Sequence, residues 1–124
     1  LKNSDQSQAS DHLFEHRPWG SFRTISKDEN FHVKIINVLP GGKLSLQSHK
    51  HRSEHWVVVK GTASVTKGEL NFKLLTNEST FIPVGAMHML KNNEPDHLSI
   101  IEVQTGNYLE EDDIVFYDDG YGRQ

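Results

Sequence analysis

The chain has 124 residues, 35% of them hydrophobic, and a formal charge of −4, so it is one domain able to bury a core and a poor fit to a nucleic-acid partner. It contains no cysteine, which excludes disulfides and thiolate ligands and leaves His, Asp, Glu, Gln and Asn as metal donors. No apolar run approaches a membrane span and no signal-peptide pattern opens the chain, so no membrane partner and a cytoplasmic location are expected.

Residues 1–16 are polar, with Leu13 and Phe14 as an apolar pair, and read as a linker or N-terminal extension; residues 17–124 read as one domain. Arg17-Pro18-Trp19-Gly20 reads as a strand-opening turn with a buried indole. Strands are then expected at about 19–26, 31–39, 44–49, 54–60, 62–67, 69–75, 79–82, 87–91 and 97–103, because short β-branched and aromatic runs alternate with turn residues. The punctuating segments are Asp28-Glu29-Asn30, Pro40-Gly41-Gly42, Lys67-Gly68, Asn77-Glu78-Ser79 and Asn92-Asn93-Glu94-Pro95. Such spacing predicts an all-β sandwich or barrel. Ala63/Val65 and Leu70/Phe72/Leu74 alternate as a strand with one wet face. In Trp56-Val57-Val58-Val59 and Leu98-Ser99-Ile100-Ile101 alternation is lost, which predicts strands covered on both faces, the second cover being another subunit of a homodimer.

Two segments carry metal-ligand chemistry, Gln47 to Trp56 and Pro83 to Asn92. Gln47 and His49 are two apart and share a strand face. Glu54 joins them only if the chain turns through Lys50-His51-Arg52-Ser53, and His88 opens a strand after the turn signal Pro83-Val84-Gly85-Ala86. Gln47, His49, Glu54 and His88 are therefore the candidate ligands of one divalent metal ion, Zn²⁺ first, with Mn²⁺, Co²⁺, Ni²⁺ or Fe²⁺ as alternatives. His51 and His55 could orient a ligand, touch substrate or cap the turn. The remaining His12, His16, His32 and His97 lack ligand-like spacing and read as solvent-facing or locally hydrogen-bonded. Trp56 reads as core, and Glu110 to Asp113 as a solvated acidic loop.

Written out, Gly41, five residues, Gln47, one residue, His49, four residues, Glu54, six residues and Gly61 resembles the first cupin motif, with Gln in place of its first His. Pro83, Gly85, His88 and Asn92 resemble the second; Asn77 stands where an earlier Gly is expected, and Asn also tolerates positive φ. The resemblance narrows to the cupin domain of type II phosphomannose isomerases, which is also the C-terminal part of fused mannose-1-phosphate guanylyltransferase/mannose-6-phosphate isomerase enzymes. Arg17-Pro18-Trp19-Gly20, Leu44 to Gln47, His51-Arg52, Glu54-His55-Trp56, Gly61-Thr62-Ala63, Glu102-Val103-Gln104, Glu111 to Val115 and Tyr121-Gly122-Arg123 carry it. Where that family has Arg after the Ile-Val of its acidic segment, this chain has Phe116.

The resemblance implies a cupin-type double-stranded β-helix, or jelly roll, and metal-dependent isomerisation of mannose 6-phosphate and fructose 6-phosphate through an enediol. On that reading the base is His51, His55 or an activated water. Lys43, Lys91, Arg52 and Arg123 are candidate phosphate contacts, the two arginines preferred. The resemblance also implies an upstream nucleotidyltransferase domain in a longer protein, since nothing here resembles a Gly-rich nucleotide-binding loop. Two rival readings remain: a non-catalytic cupin that binds metal or sugar phosphate within a larger enzyme, which Phe116 encourages, and an Fe(II) oxygenase using His49, Glu54 and His88.

Overall fold

The computed structural model describes residues 14–118. Among them are eleven strands and no helix: β1 (Phe14–Arg17), β2 (Gly20–Lys27), β3 (Phe31–Val38), β4 (Leu46–Ser48), β5 (Arg52–Lys60), β6 (Ala63–Lys67), β7 (Leu70–Leu74), β8 (Ser79–Ile82), β9 (His88–Lys91), β10 (Leu98–Gly106) and β11 (Val115–Asp118). They form two antiparallel sheets, a large one ordered β1-β2-β3-β10-β5-β8 and a smaller one ordered β11-β4-β9-β6-β7. The all-β expectation is borne out, and each predicted strand is present with its ends shifted by a few residues. Two strands went unpredicted. β1 takes up Phe14 to His16, which composition had placed in the N-terminal extension, and β11 follows the acidic segment; both are four-residue pieces at the sheet edges.

Pairing in the large sheet sets its inner face into rows. Leu98 lies opposite Val38, Ile100 opposite Ile36 and Val58, Glu102 opposite Lys34 and Trp56, and Gln104 opposite His32 and Glu54. The first two rows are aliphatic and meet Val65, Leu74 and Leu90 of the smaller sheet in the core. The last two are polar, so one end of the sandwich is dry and the other presents buried charge. That polarity places the site.

On the outer face the lost alternation has a simple form. Val33, Ile35, Val57, Ile101 and Val103 are half-buried there, in register with one another across β3, β10 and β5.

Asn77 and Gly20 are among the positions that adopt positive φ. Asn77, at +77°, turns the chain between β7 and β8, in keeping with the tolerance of Asn for this region. Gly20 has φ +152°, and a Cβ there would collide with the Asn37 carbonyl oxygen. Asn92, fully buried, donates its amide to the carbonyls of Val38 (3.0 Å) and Asp96 (2.8 Å). It closes the second motif as a structural clamp.

Candidate metal centre

The β4–β9 pairing sets Gln47 directly opposite His88, and His49 follows one residue after β4. The turn through residues 50–51 then brings the chain back as β5, where period-two geometry faces Arg52, Glu54, Trp56 and Val58 inward. His49, Glu54 and His88 thereby offer three ligand atoms within 4.8 Å of one another, all buried. His49 Nε2 is 3.2 Å from Glu54 Oε2, and His88 Nε2 is 3.9 Å from Glu54 Oε1.

The ring orientations suit metal binding. His49 Nδ1 donates to the Asp113 carbonyl at 2.6 Å, and His88 Nδ1 donates to the Ala86 carbonyl at 2.9 Å. A carbonyl only accepts, so each Nδ1 bears a proton and each ring presents its Nε2 toward Glu54. Burial lowers the His88 pKa against the pull of the Glu54 charge, which favours the neutral ligand form. Gln47 donates its amide nitrogen to Ser45 Oγ at 2.9 Å, which makes its carbonyl oxygen the atom with ligand chemistry. Two imidazoles and a carboxylate brought together in this way fit a borderline divalent cation, and Gln47 lines the same cavity.

A cation already touches the ligand atoms. Arg52 Nε donates to Glu54 Oε2 at 3.0 Å, and its terminal nitrogen donates to His49 Nε2 at 3.2 Å. Trp56 Nε1 donates to both Glu54 (2.9 Å) and Glu102 (3.2 Å), so this indole, read from sequence as core, also ties two buried acids together. Burial alone would raise the Glu54 pKa, but the His49 ring, a bond from Glu102, and His88 and the Arg52 charge beside it outweigh it and hold it well below the usual carboxylate range. Burial, with the Glu54 charge beside it, pushes Glu102 up to about 8. Without a metal, the opposite shifts favour a single negative charge on the pair, carried by Glu54.

These groups open on a cavity of about 400 Å³ whose wall includes Gln47, Arg52, Trp56, Glu102, Lys34 and Phe116. Other residues singled out from sequence lie elsewhere. His55 follows the inward Glu54 and so faces out, exposed, with its ring 4.6 Å from Phe81; His51 is exposed against Tyr108 at 5.3 Å. Neither is among the residues of the cavity wall, so of the expected bases, His51, His55 or an activated water, the two histidines do not fit their placement. Lys43 and Lys91 are joined by an isolated backbone bridge and are not among the residues of the cavity wall. Arg123 lies outside the described residues.

Sequence reasoning gave no role in the site to Asp113, Glu102 or Lys34. Asp113 is buried, not part of a solvated loop: its carboxylate accepts the backbone N–H groups of Lys50 (2.8 Å) and His51 (2.9 Å) while its carbonyl orients His49. The inward positions of β3 and β10 that carry Lys34 and Glu102 also carry His32 and Gln104, so no local pattern marked the pair. His32 follows the second of its two expected roles: it is buried and locally hydrogen-bonded, with Nε2 2.8 Å from Thr24 Oγ1.

The mannose-6-phosphate isomerase C-terminal family matches residues 4–119. The chain belongs to that family. It is 51% identical over 123 residues to the xanthan biosynthesis protein XanB of Xanthomonas campestris, covering 99% of this chain and 26% of that protein. It is 49% identical to the alginate biosynthesis protein AlgA of Pseudomonas aeruginosa, with the same coverage. To a mannose-1-phosphate guanylyltransferase of Salmonella muenchen it is 50% identical, over 93% of this chain and 24% of that one. The chain thus spans about a quarter of the length of these relatives. Solved structures give the fold: KdgF from Halomonas superposes with TM-score 0.73 at 16% identity, covering 82% of this chain and 91% of that one. An RmlC-like cupin from Shewanella frigidimarina superposes with TM-score 0.70 at 20% identity, covering 80% and 86%. The fold is the cupin double-stranded β-helix.

Proposed function

We propose that this domain interconverts mannose 6-phosphate and fructose 6-phosphate, using one divalent metal ion held by Gln47, His49, Glu54 and His88. The observation that carries the reading is the buried His49–Glu54–His88 cluster opening on a cavity of about 400 Å³ in a chain of this family. A bound metal would supply the Lewis acidity that polarises the sugar oxygens at C1 and C2.

Moving a hydrogen between C2 and C1 needs a group inside the cavity that takes the C2 proton and returns a proton to C1, with the enediol between. His51 and His55 are outside. Glu102 is on the cavity wall, held by N–H donors from Trp56 (3.2 Å) and Gln104 (2.8 Å); a metal on Glu54 would neutralise the charge that helps keep Glu102 protonated, and the deprotonated Glu102 is the base this reading assigns. Arg52 lines the cavity beside the ligand cluster, which supports a contact with substrate. The name of the guanylyltransferase relative supports placing the domain within a longer protein that also carries a nucleotidyltransferase and supplies GDP-mannose.

A second reading rests on Phe116, an aromatic on the cavity wall where the family resemblance expects Arg. It holds that the domain binds metal and sugar phosphate without turnover. A coupled assay for fructose 6-phosphate, run on purified protein after chelation and after return of single metals, tests the choice. Activity lost with chelator and restored by metal is expected. No turnover with any ion in folded protein, with activity gained in Phe116→Arg, would establish the second reading.

A further inference from the structure

The cavity has a second charged feature, which the ligand cluster does not use. Lys34 projects from the inner face of β3, with its side chain only 7% exposed. A buried ammonium is costly unless fully paired. Among the described residues, the acceptor it reaches is Glu111 Oε2 at 3.3 Å, and that glutamate side chain is 74% exposed. Lys34's other close contact is the Phe22 ring, with Nζ 4.4 Å from the centroid. Glu102, its neighbour across the strands, takes N–H donors from Trp56 and Gln104 instead. One long bond to an exposed carboxylate leaves an ammonium with three donors poorly matched.

Arg17 shares the same ring. Its guanidinium carbon lies 5.0 Å from the Phe22 centroid, and it too lines the cavity. Its register partner on β2 is Gly20, which has no side chain to hold it off the sheet. Its carboxylate partner is Glu15, and both side chains are about half exposed, at 42% and 50%; such a pair contributes little and yields readily to a stronger anion. The third cavity cation, Arg52, is engaged with Glu54 and His49.

The sheet order separates the two features. Lys34 is on β3 and Glu54 on β5, with β10 between, so their backbones are about 10 Å apart at the usual strand spacing. That is the scale of a hexose chain stretched from its carbonyl end to a phosphate on C6. We infer that Arg17 and Lys34, brought together on the Phe22 ring, form the phosphate subsite of this cavity and select a terminal phosphomonoester on a sugar whose other end meets the ligand cluster. Arg17 grips two phosphate oxygens through its planar fork, and Lys34 acts as a buried point charge. The inference rests on the proposed isomerase reading for the identity of the sugar, but not for the anion site itself.

The test is calorimetric titration of sorbitol 6-phosphate, which lacks a carbonyl and cannot isomerise, into metal-loaded wild type, Arg17→Gln and Lys34→Met. Inorganic phosphate and unphosphorylated sorbitol are parallel probes, and mannose 6-phosphate turnover is followed in the same preparations. Lys34→Met preserves the stem volume, and Arg17→Gln changes a side chain at the cavity mouth, so at least one folded variant is available. Each substitution should weaken sorbitol 6-phosphate and phosphate binding tenfold or more, with zinc affinity unchanged. Wild-type affinity in both variants, or no binding of either anion by wild type, would overturn the subsite. Turnover with unchanged KM in both variants would overturn it while leaving the isomerase reading intact. Charge-dependent anion binding without turnover would refute the isomerase reading and leave the subsite standing.

Discussion

Replacing Arg52 with methionine should make the protein less stable and its metal binding tighter at once. The guanidinium touches Glu54 Oε2 at 3.0 Å and His49 Nε2 at 3.2 Å, and the Arg52 and Glu54 side chains are only 8% and 2% exposed. Removing one partner of a buried ion pair costs about 3–5 kcal/mol. Because Glu54 keeps the Trp56 N–H at 2.9 Å, the lower end applies, about 3 kcal/mol. With an unfolding entropy of about 2.1 cal/mol/K per residue, that is a fall in Tm of about 10 °C for chelator-treated protein. Once a dication neutralises Glu54 and takes the His49 lone pair, the same arginine is worth about 1 kcal/mol or less, so metal-loaded variant and wild type should melt within about 4 °C. Closing the cycle, metal binds the variant more tightly by about 2 kcal/mol, roughly thirtyfold. Competition of Zn²⁺ against a chromophoric chelator measures the affinity, and calorimetry with chelator and with metal measures the two Tm shifts. Equal Tm losses in both conditions, or a zinc affinity that is unchanged or weaker, would refute the claim that Arg52 and metal compete for the same atoms.

Asp113→Ala removes the acceptor for the Lys50 and His51 N–H groups and should cost about 3 kcal/mol while weakening metal binding about 10–100-fold, because the segment that orients His49 loosens. Thermal melts with metal competition measure both, and an unchanged metal affinity would mean that the residue 113 carbonyl holds His49 without its side chain. Burial, reinforced by the charges of Lys34, Lys27 and Arg52 and opposed by Glu111, lowers the His32 pKa from 6.5 to about 4. In that interval the unfolded chain binds a proton that the folded one does not, so stability is full above about pH 6.5 and is lost as pH falls toward about 4. Urea unfolding of chelated protein across this range should show a steeper acid loss in wild type than in His32→Gln; parallel curves would show that other groups carry the acid sensitivity.

Much of this was legible in the residues. Turn chemistry at Asn77 and the glycines, with the period-two runs between them, placed the strands, and the spacings in Gln47 to Glu54 and Pro83 to His88 named the side chains that converge. Even the outward placement of His55 follows from accepting Glu54 as inward, since neighbours on a strand face opposite ways.

What no local pattern carried was the wall around those ligands. Lys34, Glu102 and Trp56 form one row only because β10 pairs with β3 and β5 in that register, and a slip of one residue would have turned them outward. Asp113 reaches Lys50 and His51 across more than sixty residues of chain. Arg17 and Lys34 share the Phe22 ring through the pairing of three strands. The sequence alone determined the strand set, the ligand types and the family resemblance, because those depend on neighbours along the chain. Tertiary structure decided which charges were buried together, because register and desolvation are set by partners distant in sequence.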